Sequence, residues 1–235
     1  MRVNAGILIA LGAVVALIAL GVTDQVLPAA DPRTAQLRPW IASRALGVTA
    51  YLLLAFEVAL GLVLSHPRNL AAWHKTKQVF PWHEMVTVFM GAFLALHIAL
   101  VAVDPFAKVG WIGVLVPGMS EYRPPAIAIG SVALYALIFT AATAKWTRLL
   151  PSGWWLKVHR FTAVIFLMTW VHAVLAGTDG GALTPLYLVT GLAIMAGVVH
   201  RWWTARVRPV RVGPAAAPTL SLVRPVPAPT VEEPR

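Results

Sequence analysis

The chain has 235 residues, of which 59% are hydrophobic and 12% charged, about half the charged share of a soluble domain. It contains no cysteine, which excludes disulfides, iron–sulfur clusters and thiolate metal sites. The net charge of +10 suits basic loops that orient membrane spans and meet anionic lipid, and no nucleic-acid partner is called for.

Apolar runs of about 20 residues fit bilayer-spanning helices, and the sequence predicts six. The first covers 5–22, Gly/Ala-rich between Arg2 and Asp24. A cleaved signal peptide competes, because Ala29-Ala30 offers a small-residue cleavage site, but the run is long for a signal core and reads as a retained helix. A polar loop, 23–39, leads to the second span, 40–64. The basic segment 65–81 precedes the third span, 82–103. The connection 104–123 carries Gly110, Pro117 and Gly118 and is turn-rich, with an apolar stretch from Trp111 suited to the interface. Pro124-Pro125 opens the fourth span, 124–145. A loop over 146–156 holds Trp154-Trp155, an aromatic pair suited to the headgroup zone. The fifth span, 157–177, and the sixth, 183–203, flank a tight turn at Asp179-Gly180-Gly181. The Pro/Ala/Val-rich tail, 204–235, is predicted to be disordered. The expected fold is an all-α polytopic membrane bundle of six transmembrane helices. It divides into 1–39 (first helix and loop), 40–203 (bundle) and 204–235 (tail).

Fourteen of the nineteen Lys and Arg lie in the N-terminus, the 65–81 and 145–160 segments, and the end of the sixth span (Arg201) with the tail. The positive-inside rule then predicts that both termini are cytoplasmic, in a multi-pass protein of the cytoplasmic membrane. Spans three and five run in the same direction. His83 and His159 therefore fall near the cytoplasmic ends of their helices, and His97 and His172 in the outer halves.

A histidine inside an apolar span is expensive without a partner, so these four are functional candidates. Fourteen residues separate His83 from His97, about 21 Å along a helix and within about 40° of one face. Thirteen separate His159 from His172, leaving them about 140° apart on an ideal helix. A local distortion, a frayed first turn or two mutually rotated centres would each reconcile this. Paired neutral imidazoles on facing helices leave room for a flat macrocycle, and His is a standard axial haem ligand. Zinc would need more ligands in each layer, and a di-iron site would need Glu-x-x-His pairs that are missing. Two haem b groups fit best; the bland alternative is four separate histidines hydrogen-bonded in helix contacts. Covalent attachment is excluded by the missing Cys-x-x-Cys-His.

Several segments resemble the ferric-reductase-like transmembrane domain, found in ferric reductases, NADPH oxidases and the haem subunit of the periplasmic methionine-sulfoxide reductase system. They are Ser43-Arg-Ala-Leu-Gly47, Trp82-His-Glu84, Leu96-His97, Val103-Asp-Pro-Phe106, Ser120-Glu-Tyr-Arg-Pro124, Trp154-Trp-Leu-Lys-Val-His-Arg160 and Val171-His172. The resemblance covers 43–177. It implies haem ligation by His83 with His159 and by His97 with His172, hence metal sites at those four residues. It also implies transmembrane electron transfer to an outer-side acceptor. The tail carries no Gly-x-Gly-x-x-Gly, so no FAD or NAD(P)H is expected to bind through a fused domain. The expected donor is a separate cytoplasmic flavoprotein or a membrane quinol.

Accessory candidates complete the reading. Glu57, near the middle of span two, is costly there if ionised and suits pairing or proton handling. Gly47 and Gly61, also fourteen apart, fall at the outer and inner histidine levels, where they would admit a porphyrin edge or a neighbouring helix. Arg44 and Arg123 lie on the outer side, where they would meet propionates or act as topology signals. His66, His74 and His200 read as ordinary interfacial residues. The competing functions are a haem-free anchor or assembly subunit, and a proton or metal-ion transporter using Glu57 and the histidines.

Overall fold

The structure, a computed structural model, describes residues 31–178 and 180–207, together with Val14. The expected first span, and the tail beyond Val207, lie outside the described residues. The helices are α1 (Pro32–Leu64), α2 (Thr76–Val103), α3 (Gly110–Leu115), α4 (Pro124–Lys145), α5 (Trp154–His159), α6 (Thr162–Ala176) and α7 (Gly180–Val207). No strand occurs among the described residues. Five segments are long and apolar enough to cross a bilayer: Gln36–Leu64, Thr76–Val103, Pro124–Lys145, Trp154–Ala176 and Gly181–Val207. The fold is an all-helical membrane bundle.

Several element ends differ from expectation. α1 starts at Pro32 rather than Trp40. Proline is preset for the first helical position, and Pro39 sits near a polar end where solvent can take up the carbonyl its missing N–H leaves free. α2 likewise starts at Thr76, before Pro81. The link between them is tightly built rather than a plain loop. Asn69, almost fully buried, donates through Nδ2 to the Leu64 carbonyl (3.1 Å) and to Thr76 Oγ1 (2.9 Å). Its Oδ1 accepts the Lys75 N–H at 2.8 Å, tying the end of α1 to the start of α2.

The expected fifth span is two helices. α5 ends at His159 and α6 starts at Thr162. The Thr162 hydroxyl donates to the His159 carbonyl at 2.8 Å, competing with the helical N–H that would use that acceptor. The Ala163 N–H turns instead to Arg160 at 3.5 Å, and the Phe161 and Val164 N–H groups also make tight three-residue bonds. Such turns wind about 120° per residue instead of about 100°. Four tightened residues recover about 80° of the about 140° that separates His159 from His172 on an ideal helix.

The core lies at mid-depth, where Tyr51 and Leu54 of α1, Met90 of α2, Phe166 of α6 and Tyr187 and Ile194 of α7 pack together. Tyr51 stacks on Phe166 (5.8 Å) and its hydroxyl hydrogen-bonds Thr190 at 2.5 Å. The short helix α3 dips alongside α4. Its terminal carbonyls at Val114 and Leu115 accept hydrogen bonds from the hydroxyls of Ser131 (2.5 Å) and Tyr135. Hydrocarbon offers no water to those groups, so α4 supplies the donors. Exposed Trp146, Trp154, Trp202 and Trp203 cluster with Lys145, Lys157 and Arg206 at the end carrying the basic loops, where amphipathic rings suit a headgroup zone.

Candidate functional site

His97 lies on α2, and its Nδ1 is 2.7 Å from the Ser43 carbonyl of α1. A carbonyl only accepts, so Nδ1 carries the proton and a neutral ring keeps its lone pair at Nε2. The imidazole passes directly over Gly47, four residues after Ser43. A Cβ there would stand 2.8 Å from Cε1 and 2.9 Å from Nδ1 of His97. His172 on α6 repeats the arrangement against α4. Its Nδ1 is 2.8 Å from the Ala126 carbonyl, and a Cβ on Gly130, again four residues on, would stand 2.6 Å from that same nitrogen.

The recurrence has a geometric cause. In a helix the carbonyl of residue i points along the axis at residue i+4. A side chain from another helix that reaches this carbonyl must cross the surface of residue i+4, which only glycine leaves clear. Trp170, two residues before His172, obeys the same rule on α7. Its Nε1 donates to the Tyr187 carbonyl at 2.9 Å, and a Cβ on Gly191 would stand 2.8 Å from the indole nitrogen.

His97 and His172 both line one cavity of ≈ 330 Å³, bounded by α1, α2, α4, α6 and α7. The lining is mostly apolar, with Met90, Leu94 and Leu137 at depth, and Arg44 and Tyr187 among the polar-tipped groups. The two histidines are close enough to interact electrostatically. Trp40, packed on Phe106 (5.7 Å) and Tyr122 (5.3 Å), forms part of the wall.

The other two histidines meet outside this cavity. The rings of His83 and His159 are 6.1 Å apart between centroids and nearly perpendicular, at 86°. Buried Glu57 of α1 backs this pair. Its Oε1 is 3.0 Å from His83 Nδ1, though off the hydrogen-bond direction, and is hydrogen-bonded to the hydroxyl of Thr87. Thr87 in turn reaches the His83 carbonyl at 2.8 Å. Glu57 also interacts electrostatically with His159, whose Nδ1 is buried without a hydrogen-bond partner. Gly61 stands at this level, four residues after Glu57, but a Cβ there would meet His83 only at an ordinary 3.9 Å.

The outer-loop motifs close the bundle around the first pair. The Tyr122 hydroxyl donates to the Ala176 carbonyl at 3.1 Å. The Arg123 guanidinium donates through one nitrogen to the carbonyls of Leu175 (2.6 Å) and Gly177 (2.9 Å). This Tyr-Arg-Pro element is thus a clasp on the C-terminal end of α6. Asp104 Oδ2 accepts the Ala107 N–H at 2.6 Å, which sets the Asp-Pro-Phe turn and brings Phe106 onto Trp40.

Residues 46–170, more than half of the chain, match the family described as ferric reductase like transmembrane component. The chain belongs to that family. The ferric-reductase-like match takes in Gly47, His83, His97 and His159, and stops two residues short of His172. Comparison with curated proteins and with solved structures gives no match.

Within this ferric-reductase-like bundle the structure brings His97 to the same cavity as His172, and His83 against His159. It sets Gly47 under His97, Glu57 beside His83, and Arg44 at the cavity wall. His66 and His200, read as separate interfacial residues, stack together at 5.4 Å with Trp73 on His66 at 4.5 Å. Sequence reasoning missed Gly130, Thr87 and the carbonyls of Ser43 and Ala126. For Gly130 the signal was present: an isolated glycine inside an apolar span marks a close approach. No three His, Asp or Glu side chains converge as a metal-ligand set among the described residues.

Proposed function

We propose that the protein is a membrane cytochrome of b type, carrying single electrons across the cytoplasmic membrane through two haems. The family match supports a membrane component of transmembrane electron transfer. The observation that carries the finer reading is the His97/His172 cavity. Two imidazoles from different helices have their Nδ1 protons committed to backbone carbonyls, leaving each Nε2 lone pair for a metal, and both line an apolar space of ≈ 330 Å³. Metal-bound histidines are held in this way, and the space lies in the range of cofactor pockets.

The 6.1 Å between the His83 and His159 rings also suits a shared metal. Two metal–nitrogen bonds of about 2 Å, with the ring radii added, come to about 6 Å. His97 with His172, and His83 with His159, would hold the two groups. Haem would supply a one-electron ferric/ferrous couple. The protein's part is to fix the imidazoles, keep the surroundings apolar and present Arg44 where an anionic propionate would be stabilised. Loop charge assigns the Glu57 level to the cytoplasmic side. There the donor is a separate flavoprotein or a membrane quinol, and the acceptor lies on the opposite face.

The test is spectroscopic. Protein expressed with ample haem should show a b-type reduced-minus-oxidised band and two haems per chain. His97→Ala and His172→Ala should remove the same one. Protein that takes up no haem under those conditions, or loss of different centres in the two variants, would overturn the reading.

A further inference from the structure

The two histidine levels are backed by different chemistry. At the cavity level both Nδ1 protons go to neutral backbone carbonyls, Ser43 and Ala126. At the other level the group nearest His83 Nδ1 is the carboxyl of Glu57, 3.0 Å away but off the hydrogen-bond direction, buried and held by Thr87. The second oxygen of Glu57 has no hydrogen-bond partner. Glu84, next to His83 in sequence, is exposed. Asp104, seven residues beyond His97 and just past the end of α2, is about 10 Å further along the axis; its Oδ2 accepts the Ala107 N–H, and its Oδ1 is buried without a partner.

We infer that Glu57 gives the bundle its electrical polarity: it makes the His83/His159 centre the harder of the two to reduce, so electrons run from that level to the His97/His172 level. This deepens the haem reading above and rests on it. The negative charge of a carboxylate 3.0 Å from the imidazole favours the more positive, ferric form of an iron held by that ring, and does so strongly in an apolar surrounding. Glu57 lies ten residues from Gly47 along α1, about 15 Å, so its effect on the cavity level is weaker. One electron lost at the Glu57 level is gained at the cavity level; no bond forms or breaks and no proton is required. With the basic loops cytoplasmic, this direction is outward. Glu57 is a positioning and tuning residue acting through His83, not a ligand.

The experiment is a spectroelectrochemical titration at one fixed pH of haem-loaded full-length protein and its Glu57→Gln and Glu57→Asp variants, with haem content measured first. The His97→Ala background isolates the centre to be followed. Glu57→Gln should keep both haems, and should raise the electron affinity of the His83/His159 centre about tenfold, a shift of about 59 mV for one electron. The other centre should move much less. Glu57→Asp, which keeps the charge, should stay near wild type, and it carries the test if the glutamine variant loses haem. An unchanged midpoint in Glu57→Gln with both haems present would overturn the inference, as would equal shifts at both centres, or an aspartate variant displaced as far from wild type as the glutamine one. Absence of haem from the wild-type protein would refute the cytochrome reading instead, and is seen before any titration.

Discussion

Adding one methyl group at Gly130 tests whether the cavity histidines are held as described. A Cβ at this position would stand 2.6 Å from Nδ1 and 2.7 Å from Cε1 of His172, whereas ordinary contact begins at 3.4 Å. α4 cannot yield locally without breaking its own ladder, so the imidazole has to retreat by about 0.8 Å, costing about 1–3 kcal/mol in overpacking. That motion pulls Nδ1 off the Ala126 carbonyl, now 2.8 Å away, for a further loss of about 1 kcal/mol. Gly130→Ala should therefore destabilise the site by about 2–4 kcal/mol and weaken metal-group retention by about 10–100-fold, the usual penalty for disturbing a ligand's outer partner. Retention can be followed by haem transfer to an excess of a scavenging apoprotein. Gly47→Ala, with its clash at 2.8 Å against His97, should behave alike, while Gly61→Ala, at 3.9 Å from His83, should be close to neutral. If Gly130→Ala retains haem as well as wild type, or Gly61→Ala is equally damaging, the glycine-and-carbonyl seat is not what holds these rings.

Two further outcomes follow from other parts of the fold. Ser131→Ala removes the donor to the Val114 carbonyl and leaves that group unpaired beside hydrocarbon; a loss of about 1–3 kcal/mol is expected, read as earlier proteolysis of the 110–119 segment in liposomes and a lower melting temperature. The buried His66 has its pKa pushed below the usual range by burial first, then by His200, Arg68 and Arg201. The unfolded chain therefore binds this proton more readily, so stability is full above about pH 6.5 and falls as the pH drops through that value toward the folded pKa. Thermal unfolding at about pH 7.5 and about pH 5.5 should show the loss, and His66→Gln should flatten it.

Spans two to six were legible because length and apolarity alone decide them, and the fourth, α4, has the expected limits, 124–145. The starts of α1 and α2 were missed for a shared reason. Pro39 and Pro81 read as boundaries in sequence, but near a polar helix end the missing N–H has little consequence. The histidine levels were legible because α2 is one uninterrupted helix, so fourteen residues convert directly into distance. What the sequence hid was everything carried by backbone. Neither the Ser43 nor the Ala126 carbonyl has a residue-type signature, and the clasp made by Tyr122 and Arg123 ends on carbonyls too. Glycine is the visible trace of such contacts, and it was followed at Gly47 but not at Gly130.

The fourth histidine explains why the fifth span is broken. His97 and His172 each face a backbone carbonyl on a neighbouring helix with a glycine four residues on: Ser43 with Gly47, Ala126 with Gly130. Neither His83 nor His159 has such a seat, for each Nδ1 is buried without a hydrogen-bond partner; the ring of His83 has the Glu57 carboxylate beside it, and His159 lies on the broken span. Continued as a straight helix from α6, its ring would point about 140° away from that of His172. A helix running unbroken from Trp154 to Ala176 could serve one level or the other, not both. The Thr162 hydroxyl on the His159 carbonyl eases that restriction, since the chain is overwound at residues 160–163 and the rings of His159 and His83 lie 6.1 Å apart between centroids. The consequence is a division of labour between the two levels. At the cavity level each ring is anchored by a backbone carbonyl, which only an indirect change, such as a Cβ on the glycine beneath it, can disturb. At the other level one ring has a carboxyl side chain 3.0 Å away and its partner is placed by a turn, so the properties of that level can be altered by substituting single residues, Glu57 foremost.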